Sequence, residues 1–343
     1  MTERPRALIL GAAGQDGSYL AEFLVARGYE VIGLVRQSGA ELPSRIAHLG
    51  RHMKLVRGDL HDQLSLSAAV AQTAPREIYN FAGTSFVPES WQQPALTADS
   101  TAMGVVRLLE AIRQVDPTIR FYQASTSEMF GRPETAPQNE DTPFRPRNPY
   151  AVAKLFAHQM VQRYREAFGL YAVSGILYNH ESPRRGSEFV TRKITRAAAR
   201  IAVGDEHELR LGNISAKRDW GFAGDYVHAM WLMLQQPVPS DFVVATGLAH
   251  SVEDVLELAF GHLGLDWHDH VAIDPALLRP LDEALLVGDA SRARSELGWR
   301  PSVSFAELIR LMVDADVADL DPERVPRPEQ DWPEGSPLLA AQS

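Results

Sequence analysis

The sequence predicts an α/β protein: a doubly wound parallel sheet with helices on both faces, followed by a smaller C-terminal α/β lobe. Three observations lead to this prediction. Short apolar runs alternate with helical patterns through the first half of the chain. Three spaced glycines follow the first apolar run and open the first helical pattern. From about His180 onward, loops with Pro, Gly and charged residues interrupt shorter helical patterns, as in a lobe laid over a sheet.

Each strand is predicted where a short apolar run ends near small or polar residues. Each helix is predicted where apolar residues recur at helical spacing, as Leu20, Phe23 and Leu24 do. The predicted strands are Ala7–Leu10, Val31–Val35, Lys54–Val56, Ile78–Phe81, Phe121–Ala124 and Ala172–Leu177. The predicted helices are Tyr19–Ala26, Gln63–Gln72, Thr97–Gln114 and Tyr150–Phe168.

The chain divides into two lobes and a tail. We place the sheet domain at residues 1–178 and leave open that later segments return to it. The second lobe covers residues 179–325. Residues 326–343 are rich in Pro, Glu and Ser, so we expect a loose tail or one laid along the surface.

Charge and cysteine content exclude several classes of function. The chain has 343 residues, 34 Lys and Arg against 44 Asp and Glu, and a net charge of -10. It has no long Lys/Arg run, so no nucleic-acid partner is expected. The absence of cysteine excludes disulfides, thiolate metal sites and a cysteine nucleophile, and it fits a reducing compartment.

Neither a membrane segment nor a metal site is expected. The apolar run before the first glycines has four residues, too short for a signal peptide or for the ~20 residues of a membrane span, so we expect a cytoplasmic protein. His48, His52 and His61 do not share a metal-ligand spacing. The segment Asp266–His270 ("DWHDH") is interpreted as a polar loop rather than a zinc site.

The glycine-rich segment "LILGAAGQDGSYLAEFL" predicts a dinucleotide site. Gly11, Gly14 and Gly17 lie between the first strand and the first helix, where the backbone must turn tightly and approach a pyrophosphate. Spaced glycines alone are a weak signal, but the strand–turn–helix context makes the domain a Rossmann-type fold. The GxxGxxG spacing resembles the extended short-chain dehydrogenase/reductase family. We expect the cofactor to contact Gly11, Ala13, Gly14, Gln15, Asp16 and Gly17.

The ends of the second and third strands indicate which cofactor binds. Arg36 stands where an acidic residue would select NAD, and its guanidinium can bind the 2′-phosphate of NADP. We therefore predict NADP; a solvated arginine is the alternative. Asp59, followed by Leu60, can accept from the adenine amino group, or it can cap the helix that follows.

The segment "NPYAVAK" supplies a candidate catalytic pair. Tyr150 and Lys154 are four residues apart and so lie on one face of a helix. A phenol of pKa ~10 is a poor base at neutral pH, and a nearby ammonium ion is expected to lower that pKa. Thr126 can share the proton of a substrate alcohol with Tyr150. These residue types suit hydride transfer between a secondary alcohol and nicotinamide.

Glu128, in "QASTSEMFG", is not explained by hydride transfer alone. Once a sugar alcohol becomes a ketone, the neighbouring C–H is acidic and a positioned carboxylate can remove its proton. The resulting carboxylic acid can protonate a leaving hydroxyl one carbon further on. Hydride returned from the reduced cofactor then completes a redox-neutral dehydration. A surface glutamate is the alternative interpretation.

At this point the sequence resembles the GDP-mannose 4,6-dehydratase family from about residue 7 to 312. The matching segments include "GAAGQDGSYLAEFL", "FYQASTSEMFG", "NPYAVAKLFAHQMVQRYREAFGL", "NHESPRRG" and "KRDWGFAGDYV", of which the last two are the most specific. The resemblance implies a homodimer or homotetramer that dehydrates GDP-mannose.

The resemblance also implies a role for each matching residue. Thr126, Glu128 and Tyr150 would be catalytic, and Lys154 would hold both the tyrosine and the nicotinamide ribose. Further cofactor contacts would be Phe81, Ala82, Gly83, His180 and Arg185. The GDP-sugar would be held by Ser85, Asn179, Val190, Lys193, Arg218, Arg279 and Asp282.

Several positions depart from the family pattern. The usual "LAAQS" is "FAGTS" at Phe81–Ser85, where Thr84 in place of Gln removes a donor and an acceptor. "PESW" at Pro88–Trp91 and "RPLD" at Arg279–Asp282, which contains Leu281, also differ. The common "RSPY" is "RNPY", with Asn148 in place of Ser. These changes leave the catalytic residues intact and bear on which hexose is accepted.

Three functions stay open at the level of sequence. A dehydratase of GDP-mannose, or of another GDP-sugar, requires Glu128 and recycles NADP. A sugar-nucleotide epimerase or ketosugar reductase would tolerate Glu128→Gln. A catalytically silent NADP-binding protein would leave GDP-mannose unchanged. The intact Thr126, Tyr150 and Lys154 argue against the third, and we predict the dehydratase.

Overall fold

A parallel sheet of seven strands organises the chain. The computed structural model describes residues 4–36, 43–277, 285–323, 331–333 and 336. The strands are β1 (Arg6–Leu10), β2 (Glu30–Val35), β3 (Met53–Arg57), β4 (Glu77–Asn80), β5 (Arg120–Thr126), β6 (Ala172–Leu177), β7 (Asn179–Glu181), β8 (Leu209–Leu211), β9 (Lys217–Arg218), β10 (Trp220–Phe222), β11 (Phe242–Val244), β12 (His250–Ser251) and β13 (Val271–Ile273). The large sheet has the order β3-β2-β1-β4-β5-β6-β11, with all pairs parallel.

Helices cover both faces of this sheet and form the second lobe. The α-helices are α1 (Gln15–Ala26), α2 (Gln63–Thr73), α3 (Val87–Gln92), α4 (Pro94–Thr97), α5 (Gly104–Val115), α6 (Pro149–Phe168), α7 (Val190–Ala202), α8 (Ala223–Gln235), α9 (Val252–His262), α10 (Ser291–Glu296) and α11 (Phe305–Leu320). A π-helical segment, Ala98–Met103, joins α4 to α5. Short 3₁₀ turns lie at Ser44–His52, Ser127–Phe130, Trp267–Asp269 and Pro275–Leu277.

The register of the sheet brings the ends of its central strands together. Leu10 of β1 lies opposite Asn80 of β4, Asn80 opposite Gln123 of β5, and Thr126 opposite Leu177 of β6. In open α/β sheets, ligands bind outside the carboxyl ends of the strands. The register therefore defines the edge at which the candidate catalytic residues meet.

Three apolar clusters hold the layers together. The first packs α1 and α8 on one sheet face, with Tyr19 and Met230 buried. The second packs α2, α5 and α6 on the other face. The third joins α7, α9 and α11 in the second lobe, with Leu256 and Val313 fully buried. Burying apolar surface in this way is the main force that stabilises such layers.

Segments after residue 178 return to the large sheet. Strand β11 extends it beside β6, and α8 packs on α1. The lobes are thus interleaved in sequence, and the boundary between residues 178 and 179 stays a prediction.

Part of the tail, which was predicted to be loose or laid along the surface, packs against α1. The Trp332 side chain is 5% exposed, and its ring lies edge-on to Tyr19 and Phe222. Its indole Nε1 donates to Glu22 Oε2 at 2.6 Å. The sequence interpretation treated this end as polar and missed the single aromatic side chain that packs on α1. No helix in the described ranges is long and apolar enough to cross a membrane.

Candidate active site

A cleft of about 980 Å³ opens at the carboxyl edge of the sheet, between the two lobes. Its volume lies at the upper end of the ~300–1,000 Å³ range of ligand pockets. Its walls include the glycine loop, the ends of β4 and β5, the start of α6 and the first turn of α7. All predicted site residues except Arg279 and Asp282, which lie outside the described residues, line this one cavity.

The glycine loop has the backbone shape of a phosphate cradle. Gly11 has φ +81°, a conformation that L side chains rarely adopt. A Cβ on Gly17 would lie 2.3 Å from the Gly11 carbonyl oxygen, so the helix can approach the strand only with glycine there. Gly14 N donates to Gly11 O at 2.9 Å and closes the turn, leaving the N-terminus of α1 directed into the cleft. Backbone N–H groups at such a terminus suit a pyrophosphate.

The first two residues of α1 contact β7 and the residue that follows it. Gln15 Nε2 donates to the His180 carbonyl at 3.0 Å, and its Oε1 accepts from Ser182 Oγ at 2.8 Å. Asp16 Oδ1 lies 3.0 Å from His180 Nε2, while His180 Nδ1 lies 2.8 Å from the Tyr178 carbonyl. These contacts join the glycine loop to the second lobe.

The Asp16–His180 contact is an ion pair. Burial is the largest single influence and opposes ionisation of both groups, but the mutual attraction and the hydrogen bonds together exceed it, so the pKa of Asp16 is lowered and the pKa of His180 is raised. The geometry agrees with an imidazolium, because Nδ1 must donate to a carbonyl and Nε2 then donates to a carboxylate. His180 also stacks on Tyr226, with ring centres 4.5 Å apart.

The two arginines of "RRG" have different surroundings. Arg185 lines the cleft, its guanidinium lies 3.5 Å over the Phe189 ring, and its Nε is 3.1 Å from Glu181 Oε2. Arg184 instead pairs with Glu22 at 2.7 Å and with Asp331 at 3.0 Å. Arg184 is therefore not among the residues that line the cleft, and its charge is balanced by these carboxylates.

Arg36 and Asp59 lie on the far side of the glycine loop, at the ends of β2 and β3. Both line the cleft, and Arg36 is exposed there. Asp59 accepts from the His61 backbone N–H at 3.0 Å, a bond that lowers the pKa of its carboxyl. The helix-cap interpretation of Asp59 is wrong, because Asp62 caps α2 by accepting from Leu64 N and Ser65 N.

Tyr150 and Lys154 lie on the cleft side of α6, and both are buried. Burial raises the pKa of the Tyr150 phenol above its usual range, although a hydrogen bond with Thr126 opposes the shift. Burial lowers the pKa of Lys154 to about 8. Lys154 Nζ donates to the Ala124 carbonyl at 2.8 Å and lies 5.7 Å from the centre of the Tyr150 ring. The predicted lowering of the phenol's pKa by Lys154 is therefore wrong, because desolvation raises that pKa instead.

Thr126 and Glu128 lie at the end of β5, facing the same cleft. Thr126 Oγ1 accepts from the Glu128 backbone N–H at 3.2 Å and so caps the short 3₁₀ turn that follows. The Glu128 carboxylate is half-buried, and its Oε2 accepts from Asn148 Nδ2 at 3.0 Å. The interpretation of Glu128 as a surface residue is wrong. A carboxylate and a phenol facing one cavity can move two different substrate protons.

The remaining predicted residues divide by location. Lys193 Nζ donates to the Arg210 carbonyl at 2.7 Å, and Arg218 Nη1 donates to the Lys217 carbonyl at 2.7 Å. Arg279 and Asp282, with the departure at Leu281, lie outside the described residues. The predicted residues that line the cleft are Leu60, Phe81, Ala82, Gly83, Ser85, Asn179, Val190, Lys193 and Arg218.

The sequence analysis missed several cleft residues. The rings of Phe86 and Phe189 form an edge-to-face pair with their centres 5.8 Å apart, and Asn213 and Trp220 also line the cleft. Asn213 and Trp220 stand in "LGNISAKRDWG", next to Arg218, so their position beside a predicted ligand was the available signal. The same signal was available for the two phenylalanines, because Phe86 follows Ser85 and Phe189 precedes Val190. Within the described part of the chain, no group of three or more His, Asp or Glu could hold a metal ion.

Comparison with known proteins gives a consistent result. The family model described as GDP-mannose 4,6 dehydratase matches residues 8–312. A curated relative from Arabidopsis thaliana, GDP-mannose 4,6 dehydratase 1, is 52% identical over 94% of this chain and 93% of its own length. The GDP-mannose 4,6-dehydratase of Sinorhizobium fredii is 47% identical over 93% and 99%. Among solved structures, the Thermus thermophilus UDP-glucose 4-epimerase in complex with NAD matches with a TM-score of 0.79 and 29% identity, over 91% of this chain and 98% of that one.

Proposed function

The chain belongs to the GDP-mannose 4,6-dehydratase family, and we propose that it acts through Thr126, Glu128, Tyr150 and Lys154 on a substrate held beside NADP. The enzyme converts GDP-mannose to GDP-4-dehydro-6-deoxy-mannose and water. One observation carries the assignment of residues: Glu128 faces the same cleft as the Tyr150–Lys154 pair. A simple dehydrogenase has no use for a second acid–base group at that place.

A nicotinamide cofactor fits the glycine loop. Side chains at Gly11 and Gly17 would meet backbone atoms at 3.0 Å or less, so the cradle admits a ligand only while these residues are glycine. When bound, oxidised nicotinamide supplies a hydride acceptor and a positive charge. Residues proposed to hold the cofactor are Gly11, Ala13, Gly14, Gln15, Asp16, Gly17, Arg36, Asp59, Leu60, Phe81, Ala82, Gly83, Lys154, His180 and Arg185.

The choice of NADP is the finer part of this proposal. Arg36 is exposed at the end of β2, in the place where an acidic residue would repel a 2′-phosphate. A fork of guanidinium donors matches phosphate geometry. Arg36→Asp should weaken NADP binding and favour NAD, as measured by isothermal titration with both cofactors. Equal NADP affinity in the variant would contradict the choice.

The catalytic side chains have separate proposed tasks. Tyr150 takes the proton of the sugar's 4-hydroxyl while carbon 4 is oxidised, and Thr126 shares that hydrogen bond. Lys154 holds the ribose and keeps positive charge near the phenol. Glu128 removes the proton at carbon 5 and passes it to the departing 6-hydroxyl, so that water leaves as the C5–C6 double bond forms. Return of the hydride to carbon 6, with a proton from solvent at carbon 5, then gives the 6-deoxy product.

The GDP part is proposed to lie against the second lobe. Lys193 and Arg218 line that wall, and a pyrophosphate needs local cations in a protein of net charge -10. Ser85, Asn179, Val190, Arg279 and Asp282 complete the proposed set. Asn213 and the aromatic pair Phe86 and Phe189 border the same space.

We further propose a homo-oligomer in the cytoplasm. Leu96 and Met103 are 48% and 42% exposed, and Val152 and Phe156 on the neighbouring α6 are 55% and 41% exposed. These four side chains form what we call the α6 apolar face. A second copy of the chain, as a dimer or within a tetramer, would cover it. The cytoplasmic location rests on the absence of cysteine.

Incubation with GDP-mannose and a catalytic amount of NADP tests the function directly. We expect mass spectrometry to show loss of one water from the sugar nucleotide, with no net reduction of NADP. An unchanged sugar nucleotide, with cofactor binding confirmed, would overturn the assignment. Stoichiometric consumption of NADPH would indicate a reductase instead.

A further inference from the structure

The Asn148 side chain makes two hydrogen bonds with two different atoms. Its Oδ1 accepts from the Ala151 backbone N–H at 2.8 Å, which caps the N-terminus of α6. Its Nδ2 donates to Glu128 Oε2 at 3.0 Å. One amide thus joins the helix that carries Tyr150 and Lys154 to the carboxylate at the end of β5.

Glu128 needs such a constraint because its backbone fixes only the start of its side chain. The residue lies in the four-residue 3₁₀ turn Ser127–Phe130, which is held by Thr126 Oγ1 at one end. The Arg145 N–H donates to the Met129 carbonyl at 2.9 Å and secures the next peptide. These bonds position the main chain. Without a further contact, the Glu128 side chain could adopt several rotamers that place its carboxylate at different points in the cleft.

We propose that Asn148 is a positioning residue that selects which oxygen of Glu128 reacts. With Oε2 bonded to the amide, Oε1 is the oxygen that faces the sugar. Oε1 takes the proton from carbon 5, and the electron pair of that C–H bond forms the C5–C6 double bond. The same Oε1 then gives the proton to the 6-hydroxyl, which leaves as water with the electrons of the C–O bond. The carboxylate returns to its starting state.

The amide is suited to this task because it separates an acceptor from a donor. A serine, which is common at this position in the family pattern, would have to accept from the Ala151 N–H and donate to Glu128 through a single hydroxyl group. The arrangement at Asn148 is therefore a property of this chain rather than of the motif. The inference rests on the proposed function, since it assigns a partner to the proposed base.

The competing explanation is that Asn148 serves only as a helix cap. Asp is as good an N-cap as Asn, but its carboxylate cannot donate to Glu128. Asn148→Asp therefore keeps the cap and removes the positioning contact, but it also places a second carboxylate beside Glu128. Asn148→Gly, which caps a helix nearly as well and carries no charge, should show the same changes in rate. Ser304→Ala is the matched control, because Ser304 caps α11 by accepting from Glu307 N in the second lobe.

Two rates are measured with the NADP-loaded enzymes in single turnovers on GDP-mannose. Nicotinamide absorbance reports oxidation at carbon 4, and quenched mass spectrometry reports loss of water. In Asn148→Asp we expect water loss to fall by about 10²-fold, the order of cost known for a misplaced catalytic group, while oxidation changes by less than about threefold. The isotope effect from deuterium at carbon 5 should rise, because proton removal then limits the rate. Ser304→Ala should change neither rate.

Two results would overturn the inference while leaving the proposed function in place. In one, Asn148→Asp loses water at the wild-type rate. In the other, both of its rates fall equally with no change in the isotope effect, as a purely structural role would predict. Failure of the wild-type enzyme to release water from GDP-mannose would instead overturn the proposed function itself.

Discussion

Single residues in the cleft differ sharply in how burial affects them. Lys154 is 7% exposed, and desolvation lowers its pKa to about 8, with Asp16 opposing the shift. Tyr150 is buried one turn away, and its pKa moves in the opposite direction. Desolvation disfavours the charged form of each group, so the cation loses a proton more readily and the phenol keeps its own. Ionising either the Tyr150 phenol or the Lys154 amine therefore costs free energy in this site.

The desolvation of Lys154 predicts how the free energy of unfolding changes when a substitution removes its ammonium group. The unfolded chain keeps the Lys154 proton up to its ordinary pKa of 10.5, whereas the folded protein loses it at about 8. Between these values the unfolded state binds more protons, so wild-type stability rises with pH in that window. Lys154→Met should therefore be more stable than wild type by up to about 3 kcal/mol below pH 8. The Ala124 carbonyl keeps its bond from Gln123 Nε2 at 2.9 Å in the variant.

Urea unfolding from pH 7 to 10.5 measures this difference. We expect the advantage of Lys154→Met to shrink as pH rises through the window, while its activity is lower by about 10²–10⁴-fold. A variant less stable than wild type at pH 7 would show that the ammonium contributes favourable interactions that exceed its desolvation.

The sequence predicted which residues line the cleft more reliably than it predicted the hydrogen-bond and ion-pair partners of side chains. The spacing of Tyr150 and Lys154 fixes their shared helix face, and both line the cleft. No spacing rule indicates which of the adjacent Arg184 and Arg185 faces the cleft, because the outcome depends on Glu22 and Asp331, distant in sequence. The same holds for the cap of α2, where Asp62 rather than Asp59 takes the role.

At the scale of elements, the junction of β1 and α1 depends on how closely the backbone at Gly17 approaches the backbone at Gly11 and Ala12. A Cβ on Gly17 would lie 2.3 Å from Gly11 O and 2.6 Å from Ala12 Cα, and backbone atoms cannot yield cheaply. Gly17→Ala should therefore deform the turn and weaken cofactor binding by at least tenfold, about 1.4 kcal/mol. Fluorescence titration with NADP measures the change.

Gly261→Ala serves as the control for that substitution. Gly261 is exposed near the end of α9, and a Cβ there would meet no atom within 4 Å. The control should bind NADP like wild type and unfold at a slightly higher temperature, because Ala favours a helix over Gly by about 1 kcal/mol. Equal NADP affinity in Gly17→Ala and Gly261→Ala would refute the proposed role of the loop.

Local sequence patterns identified most elements of the first half and fewer beyond it. The six predicted strands coincide with β1 to β6 to within two residues at each end. The helix predicted over Thr97–Gln114 is instead α4, a π-helical segment and α5 in succession, a change of hydrogen bonding that apolar spacing does not indicate. Strand β11 has only three residues, and its place beside β6 follows from long-range packing.

At the scale of the whole molecule, the α6 apolar face is the surface on which the proposed homo-oligomer depends. Val152 and Phe156 are four residues apart on α6 and point outward, beside Leu96 and Met103. Exposed apolar side chains grouped on adjacent helices favour a partner surface of the same kind. Val152→Lys combined with Phe156→Glu should yield monomers, as measured by sedimentation velocity.

A surface control separates that effect from general destabilisation. Val238 is 69% exposed in the loop after α8 and does not belong to the α6 apolar face, so Val238→Lys should leave the oligomer intact. A wild-type chain that sediments as a monomer would contradict the proposed oligomer.

The central claim is that Glu128 moves the proton at carbon 5 of the sugar. Conversion of GDP-mannose in deuterated water tests this claim, with mass spectrometry and NMR of the product. The account predicts one deuterium at carbon 5 in the wild-type product, because the proton removed there leaves with water and solvent supplies its replacement. In Glu128→Gln, water loss should fall by about 10²–10⁴-fold while oxidation at carbon 4 persists. A wild-type product without deuterium beside its carbonyl, or a Glu128→Gln enzyme that releases water at the wild-type rate, would contradict it.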